Sequence, residues 1–199
     1  MSKEVYQLLL DNVKFDLNTG PYMIGSYISY LIEKEIRVPS WQPGDIDIVC
    51  RTEQQILNLD SILAPLADTI DKTLSIPHKP VYVWSIKNFN IQSAVNDHNA
   101  YERIKYENGF ADYTVAATAS DGYSIVTAET TLKDIAEKTL RFNMSKEKWI
   151  AIYRNKNVNF TRQRYKRYKS RGYKDKDNII NNLITEFELL SKQGKLNNI

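Results

Sequence analysis

The chain is poor in soft metal ligands and thiols. Its 199 residues include one cysteine, Cys50, and two histidines, His78 and His98. A single cysteine excludes an internal disulfide, and with only two histidines beside it a zinc centre has too few ligands. Any metal is therefore expected to be a hard cation held by oxygens. No run of about 18 apolar residues occurs, which leaves nothing to cross a membrane as a helix and no expected membrane partner. "MSKEVYQLLLDNVKFDL" carries acids and a helical apolar period where a signal peptide needs an apolar block. The cytoplasm is the expected compartment.

What is present is unevenly distributed. Residues 1–99 carry 8 Lys/Arg against 12 Asp/Glu, whereas residues 100–199 carry 19 against 12. Within 141–176 there are 13 basic side chains and two acids, Glu147 and Asp175. Such a segment is either a solvated helix face or a surface for an anionic ligand, a polyphosphate or a nucleic acid.

Apolar periodicity divides the chain into an α/β core, 1–143, and a basic helical region, 144–199. Helices are expected over 2–14, 26–36, 52–70 with a break near Pro65, and 100–109. Strands are expected over 45–51, and over 79–88 and 89–95 as a hairpin turned at Lys87-Asn88. Residues 110–128 read as a hairpin turned at Asp121-Gly122. From Leu132 onward the pattern is helical throughout. "RVPSWQPG", 37–44, has two prolines and a glycine and must be a loop.

The stretch "GDIDIVC" sets two acids two apart on a strand. Side chains alternate along a strand, so Asp45 and Asp47 share one face while Ile46 and Ile48 enter the core. Two carboxylates so placed can hold a pair of divalent ions, which suits an in-line phosphoryl displacement. Alone, the spacing also fits exposed acids of an edge strand. Upstream, Gly25 permits close backbone approach and Ser26 opens a helix whose N-terminal N–H groups favour phosphate. In "TRQRYKRYKSRGYK", Arg164, Arg167 and Arg171 fall at i, i+3 and i+7, one helical stripe, with Tyr165 and Tyr168 interleaved. Guanidinium forks match phosphate oxygens and tyrosines stack on bases. Trp41, Trp84 and Trp149 are expected to be packing anchors, and Cys50 a buried inert thiol.

Ile24-Gly25-Ser26, a helix, and then Asp45-Ile46-Asp47 together resemble the signature of the DNA polymerase β-like nucleotidyltransferase superfamily. Further on, "NIQSAV" with Gln92, "FADYTVAA" with Asp112 and Thr114, "LKDIAEKTLRF" with Asp134 and Arg141, and "RQRYKRYKSRGY" resemble the head domain of CCA-adding enzymes and bacterial poly(A) polymerases. The sequence also resembles small bacteriophage-encoded nucleotidyltransferases, which would put the protein in a host cytoplasm. The likeness covers roughly residues 20–173, and only its first pair of motifs is specific. It implies a mixed sheet flanked by helices with a C-terminal helical extension. It also implies an NTP substrate and a hydroxyl acceptor: an RNA 3′ end such as that of tRNA, a protein side chain or a small molecule. By this likeness Asp45 and Asp47 hold the metal, Mg²⁺ or Mn²⁺, and Asp112 assists. Gly25, Ser26, Arg141, Arg164, Arg167 and Tyr168 take the nucleotide. Two arginines and an asparagine of those enzymes are replaced here by Phe110, Ala111 and Ala116, and Gln92 lies on the strand where a third carboxylate is common. Those departures keep two alternatives open on the same fold: a nucleotide- or RNA-binding module without turnover, and a virion or host-interaction protein. The number of subunits is not legible.

Overall fold

The computed structural model describes residues 2–75, 79–105, 111–153 and 158–194. The alternating pattern at 45–50 does what period-two alternation dictates: Ile46 and Ile48 are buried, while Asp45 and Asp47 remain half-buried on the opposite face. This strand, β2 (Asp45–Cys50), lies mid-sheet between β1 (Tyr22–Ile24) and β5 (Phe89–Val95). It runs parallel to β5, and every other pairing in the seven-stranded sheet is antiparallel. Including β3 (Thr69–Ser75), β4 (Lys79–Ile86), β6 (Thr118–Ser120) and β7 (Ile125–Thr127), the order is β3-β4-β5-β2-β1-β6-β7. The protein is thus an α/β mixed sheet flanked by helices, with a helical C-terminal extension.

Local chemistry explains most boundaries. Helix α1 (Ser2–Asn12) precedes β1, and α2 (Ser26–Ile36) buries Tyr27, Ile28 and Ile32 against the sheet. The Thr52 hydroxyl accepts the Gln55 N–H and caps α3 (Glu53–Leu63). Asn99 and Glu102 form a reciprocal capping box on α4 (Ala100–Ile104). Lys87 and Asn88 both adopt positive φ, the backbone that a two-residue hairpin turn between β4 and β5 requires. Downstream come α5 (Thr131–Glu137), β8 (Thr139–Leu140), α6 (Lys146–Tyr153), α7 (Val158–Ser170), β9 (Lys174–Asp175) and α8 (Ile179–Lys192). Trp149, Tyr168 and Phe187 from the C-terminal region join the same apolar cluster as Ile28 and Ile135.

Three expectations need correction. The helix read over 52–70 ends at Leu63, followed by a 3-10 turn at Ala64–Leu66. Pro65 cannot extend the ladder of helical N–H donors, and pairing with β4 draws Thr69 onward into β3. The strand expected from 110 is in part a 3-10 turn at Thr114–Ala116. Thr114 is held there by long-range bonds: its hydroxyl donates to Asp134 at 2.7 Å, and its carbonyl accepts from Thr131 Oγ1 at 2.7 Å. Finally, the region after Leu132 is not wholly helical, because β8 and β9 pair in parallel and tie α5 to the end of α7. Helix α4 ends at Ile104, and the rest of the helix expected to 109 lies largely outside the described residues. The hairpin at Asp121-Gly122 forms as β6–β7, with Asp121 accepting the N–H groups of Tyr123 and Ser124.

Candidate active site

Antiparallel pairing of β1 with β2 sets Ile24 opposite Asp47, so the turn into α2 begins beside the acid pair. Gly25 makes that turn at φ 76° and ψ −141°, a region essentially closed to other residues. Its N–H donates to the Thr118 carbonyl at 3.2 Å, and its carbonyl accepts from Ser29 N at 3.1 Å and Thr118 Oγ1 at 3.0 Å. A Cβ at this position would lie 3.4 Å from Asp47 Oδ2. The backbone of Gly25 is therefore fixed hard against the carboxylate. Ser26 is the first residue of α2, and no side chain caps the helix end. Its leading N–H groups open toward the same space, a ready place for an anion.

That space is a cleft of about 520 Å³, lined by Gly25, Ser26, Asp45 and Asp47 on one wall. Arg164, Arg167 and Arg171 from α7 and the following turn line the same cleft. Arg103 of α4 and the Tyr168 ring complete the polar lining. The two carboxylates accept no hydrogen bond from any described residue. Burial, and next the charge of Asp45, push the Asp47 carboxyl up from 3.8 to about 6, against the pull of Arg164, Arg103 and Arg167. Burial likewise lowers the pKa of Arg103 and Arg171 and raises that of Tyr168.

The donor set fits a hard divalent cation. Two carboxylates on one strand, unpartnered among the described residues, leave most coordination positions to phosphate oxygens and water, the usual habit of Mg²⁺. No cluster of three or more His, Cys, Asp or Glu with metal-binding geometry occurs among the described residues. Where a third acid could stand, Gln92 pairs in register with Asp47 across β2 and β5 and faces the cleft as a neutral amide.

Of the residues expected at the site, Gly25, Ser26, Asp45, Asp47, Arg164, Arg167 and Tyr168 converge on the cleft. Two do not. Asp112 is buried and does not line the cleft; its Oδ2 lies 2.6 Å from Arg164 Nε, so it orients that arginine from behind. Arg141 borders a separate cavity with Tyr101, Thr130 and Phe142, its Nε 3.0 Å from Asp134 Oδ1. The chain reverses at Lys138, in left-handed conformation, and turns Arg141 back onto α5. Tyr165 also points away, its hydroxyl donating to Asp175 at 3.2 Å. Arg103 was not foreseen, because a single arginine on a five-residue helix gives no periodic signal; the fold alone brings it beside Asp47. It shares a small side cavity with Ala111 and Ala116, and supplies the cation on that otherwise neutral wall. Trp84 and Trp149 are buried anchors as expected, and burial pushes the Cys50 thiol up to about 11. His98 sits in a turn held by Asn96, while His78 lies outside the described residues.

No protein-family model matches this chain, and no curated protein matches it. Among solved structures, the chain is similar to the Bacillus stearothermophilus CCA-adding enzyme in complex with CTP, at 19% identity and a TM-score of 0.46. The match covers 74% of this chain and 34% of that one, so the chain spans about a third of that enzyme's length.

Proposed function

We propose that the protein is a metal-dependent nucleotidyltransferase, moving a nucleoside monophosphate from an NTP to a hydroxyl acceptor with release of pyrophosphate. One observation carries this reading: two carboxylates that accept no hydrogen bond from any described residue share a cleft with a glycine-capped helix N-terminus and three arginines. Mg²⁺ or Mn²⁺ bound by Asp45 and Asp47 would draw charge from the reacting phosphate and lower the pKa of the attacking hydroxyl. The N–H groups at Ser26 and the arginines of the cleft would hold the polyphosphate in line. The acceptor oxygen bonds to the α-phosphorus, the bridge to the β-phosphate breaks, and the hydroxyl proton leaves to water. Exposed Lys166, Arg167 and Lys169 on α7 favour a polyanionic acceptor, which makes an RNA 3′ end the acceptor of choice.

The test is incubation with α-labelled NTPs, Mg²⁺ or Mn²⁺ and bulk RNA. Label transfer that disappears in Asp45→Ala and Asp47→Ala supports the enzyme. A second reading, a nucleotide-binding module without turnover, is favoured by the neutral Gln92 in register with Asp47. NTP binding without pyrophosphate release for any acceptor would select it.

A further inference from the structure

Arg171 is the cleft's least provided-for cation. Its neighbour on the stripe, Arg164, is partnered by Asp112 at 2.6 Å, and Arg167 is exposed to solvent. Arg171 is only 9% exposed and lines the cleft, yet its guanidinium has no hydrogen-bond acceptor or ion-pair partner among the described residues. What it has is a platform. The guanidinium carbon lies 3.9 Å from the centre of the Trp41 ring and 5.4 Å from that of Tyr168. Stacking occupies the face of the fork and leaves the in-plane N–H groups for a ligand.

Trp41 does not line the cleft. It belongs to the 37–44 loop, and its indole N–H donates to Glu33 Oε2 at 3.0 Å. Glu33 is fully buried, ion-paired to Lys138 at 2.5 Å and reached by the Tyr173 hydroxyl at 3.4 Å. Lys138 in turn donates to the Arg171 carbonyl at 2.9 Å. The loop's first residue, Arg37, is also tied down, donating to the Ala136 carbonyl at the end of α5. The ring beneath Arg171 is thus held by a buried network that spans α2, α5 and the end of α7. An arginine over nine-tenths buried, pre-stacked and without an acceptor is a receptor awaiting an anion.

We propose that Arg171 receives the terminal phosphates of the polyphosphate that departs in the reaction, and that Trp41 is the positioning residue that holds its guanidinium edge-on to them. The proposal rests on the transferase reading, and Arg171 feels the charge of Asp45.

The test is calorimetric binding of inorganic tripolyphosphate to the full chain, with Mg²⁺ present. Arg171→Ala should weaken binding roughly tenfold or more, as loss of a charge-assisted pair implies, and Arg171→Lys should restore only part of it. Trp41→Leu should weaken binding about threefold to tenfold, Trp41→Phe should stay near wild type, and Trp41→Leu should add nothing in the Arg171→Ala background. Should Trp41→Leu fail to fold, Trp41→Met, which keeps volume without an aromatic face, takes its place. Unchanged tripolyphosphate affinity in Arg171→Ala overturns the proposal, as does full additivity of the two substitutions. A loss confined to a short RNA oligonucleotide assigns Arg171 to a phosphodiester instead and also overturns it. Arg171-dependent binding in a protein that transfers no label would sink the transferase reading alone. Transfer with an unchanged KM for NTP in Arg171→Ala would sink this inference alone.

Discussion

Two aspartate sites less than one domain's width apart have opposite characters. Asp134 is fully buried, and its carboxylate takes hydrogen bonds from Thr114 and Thr130 and faces Arg141 at 3.0 Å. Asp47 is partly open to a cleft, takes no hydrogen bond from a described residue, and sits beside a second carboxylate. One acid is engaged by its own chain, two threonines at Oδ2 and the Arg141 charge at Oδ1, and serves the fold. The other is pushed up to about 6 by burial and by the charge of Asp45, and invites a cation. The arginines divide in the same way, Arg164 and Arg141 against protein acids and Arg171 against none. An unsatisfied charge in a shaped cleft points to a ligand, whereas a saturated one points to architecture.

That contrast breaks first at the acid pair. Asp45→Asn or Asp47→Asn should reduce nucleotidyl transfer by roughly a thousandfold or more, since metal-assisted charge stabilisation supplies several kcal/mol. Steady-state assays against α-labelled NTP measure it, and neither variant should lose thermal stability. Asp134→Ala should do the reverse. Removing the acid leaves the Thr114 and Thr130 hydroxyls without their acceptor, while the half-exposed Arg141 guanidinium turns to water, a loss of about 1–3 kcal/mol in denaturant unfolding. Transfer per folded molecule should change little.

Gly25→Ala is expected to cost about 1–3 kcal/mol, because the backbone at φ 76° and ψ −141° is strained for any side chain. It should also raise KM for the NTP, since relief of that strain moves the N–H groups that begin α2 away from Asp47. A stable variant with unaltered KM would separate the turn from the phosphate site.

The smallest effect sharpens the comparison by pH. In the folded protein Asp47 titrates near 6, above its ordinary 3.8, so the folded state holds its proton more tightly than the unfolded one. Its contribution to stability is complete below about pH 4 and is lost as pH rises through 6. Asp47→Asn should therefore match wild type in melting temperature near pH 4 and exceed it by a few degrees above pH 7. Mn²⁺ should narrow the gap by stabilising only the wild type. A constant gap across that range would mean that burial does not govern this carboxyl.

The parts of the site that were legible in sequence obey short-range geometry. Period two sets Asp45 and Asp47 on one face whatever surrounds β2, and helical spacing groups Arg164, Arg167 and Arg171. The Gly25-Ser26 step announces its turn because few other residues accept that backbone. Asp112 and Arg141 illustrate the opposite case. Each is a charged residue in a plausible place, and each is claimed by a partner whose approach depends on how distant elements pack. The ends of α3 and the turn at Thr114 were obscured for the same reason, since strand pairing with β4 and bonds to Asp134 and Thr131 override local propensity.

By itself, the sequence determined which side chains could share a face, where the backbone must bend, and that a basic stripe would accompany an acidic pair. Those are consequences of dihedral sterics and periodicity, which act within a few residues. Tertiary structure decided which charges would meet a partner and which would be left to a ligand. It brought Arg103 to Asp47, gave Arg164 to Asp112, and laid Arg171 on Trp41 without an acceptor among the described residues. Whether a charge is satisfied depends on neighbours brought together in space, and that pairing exists only once the chain has folded.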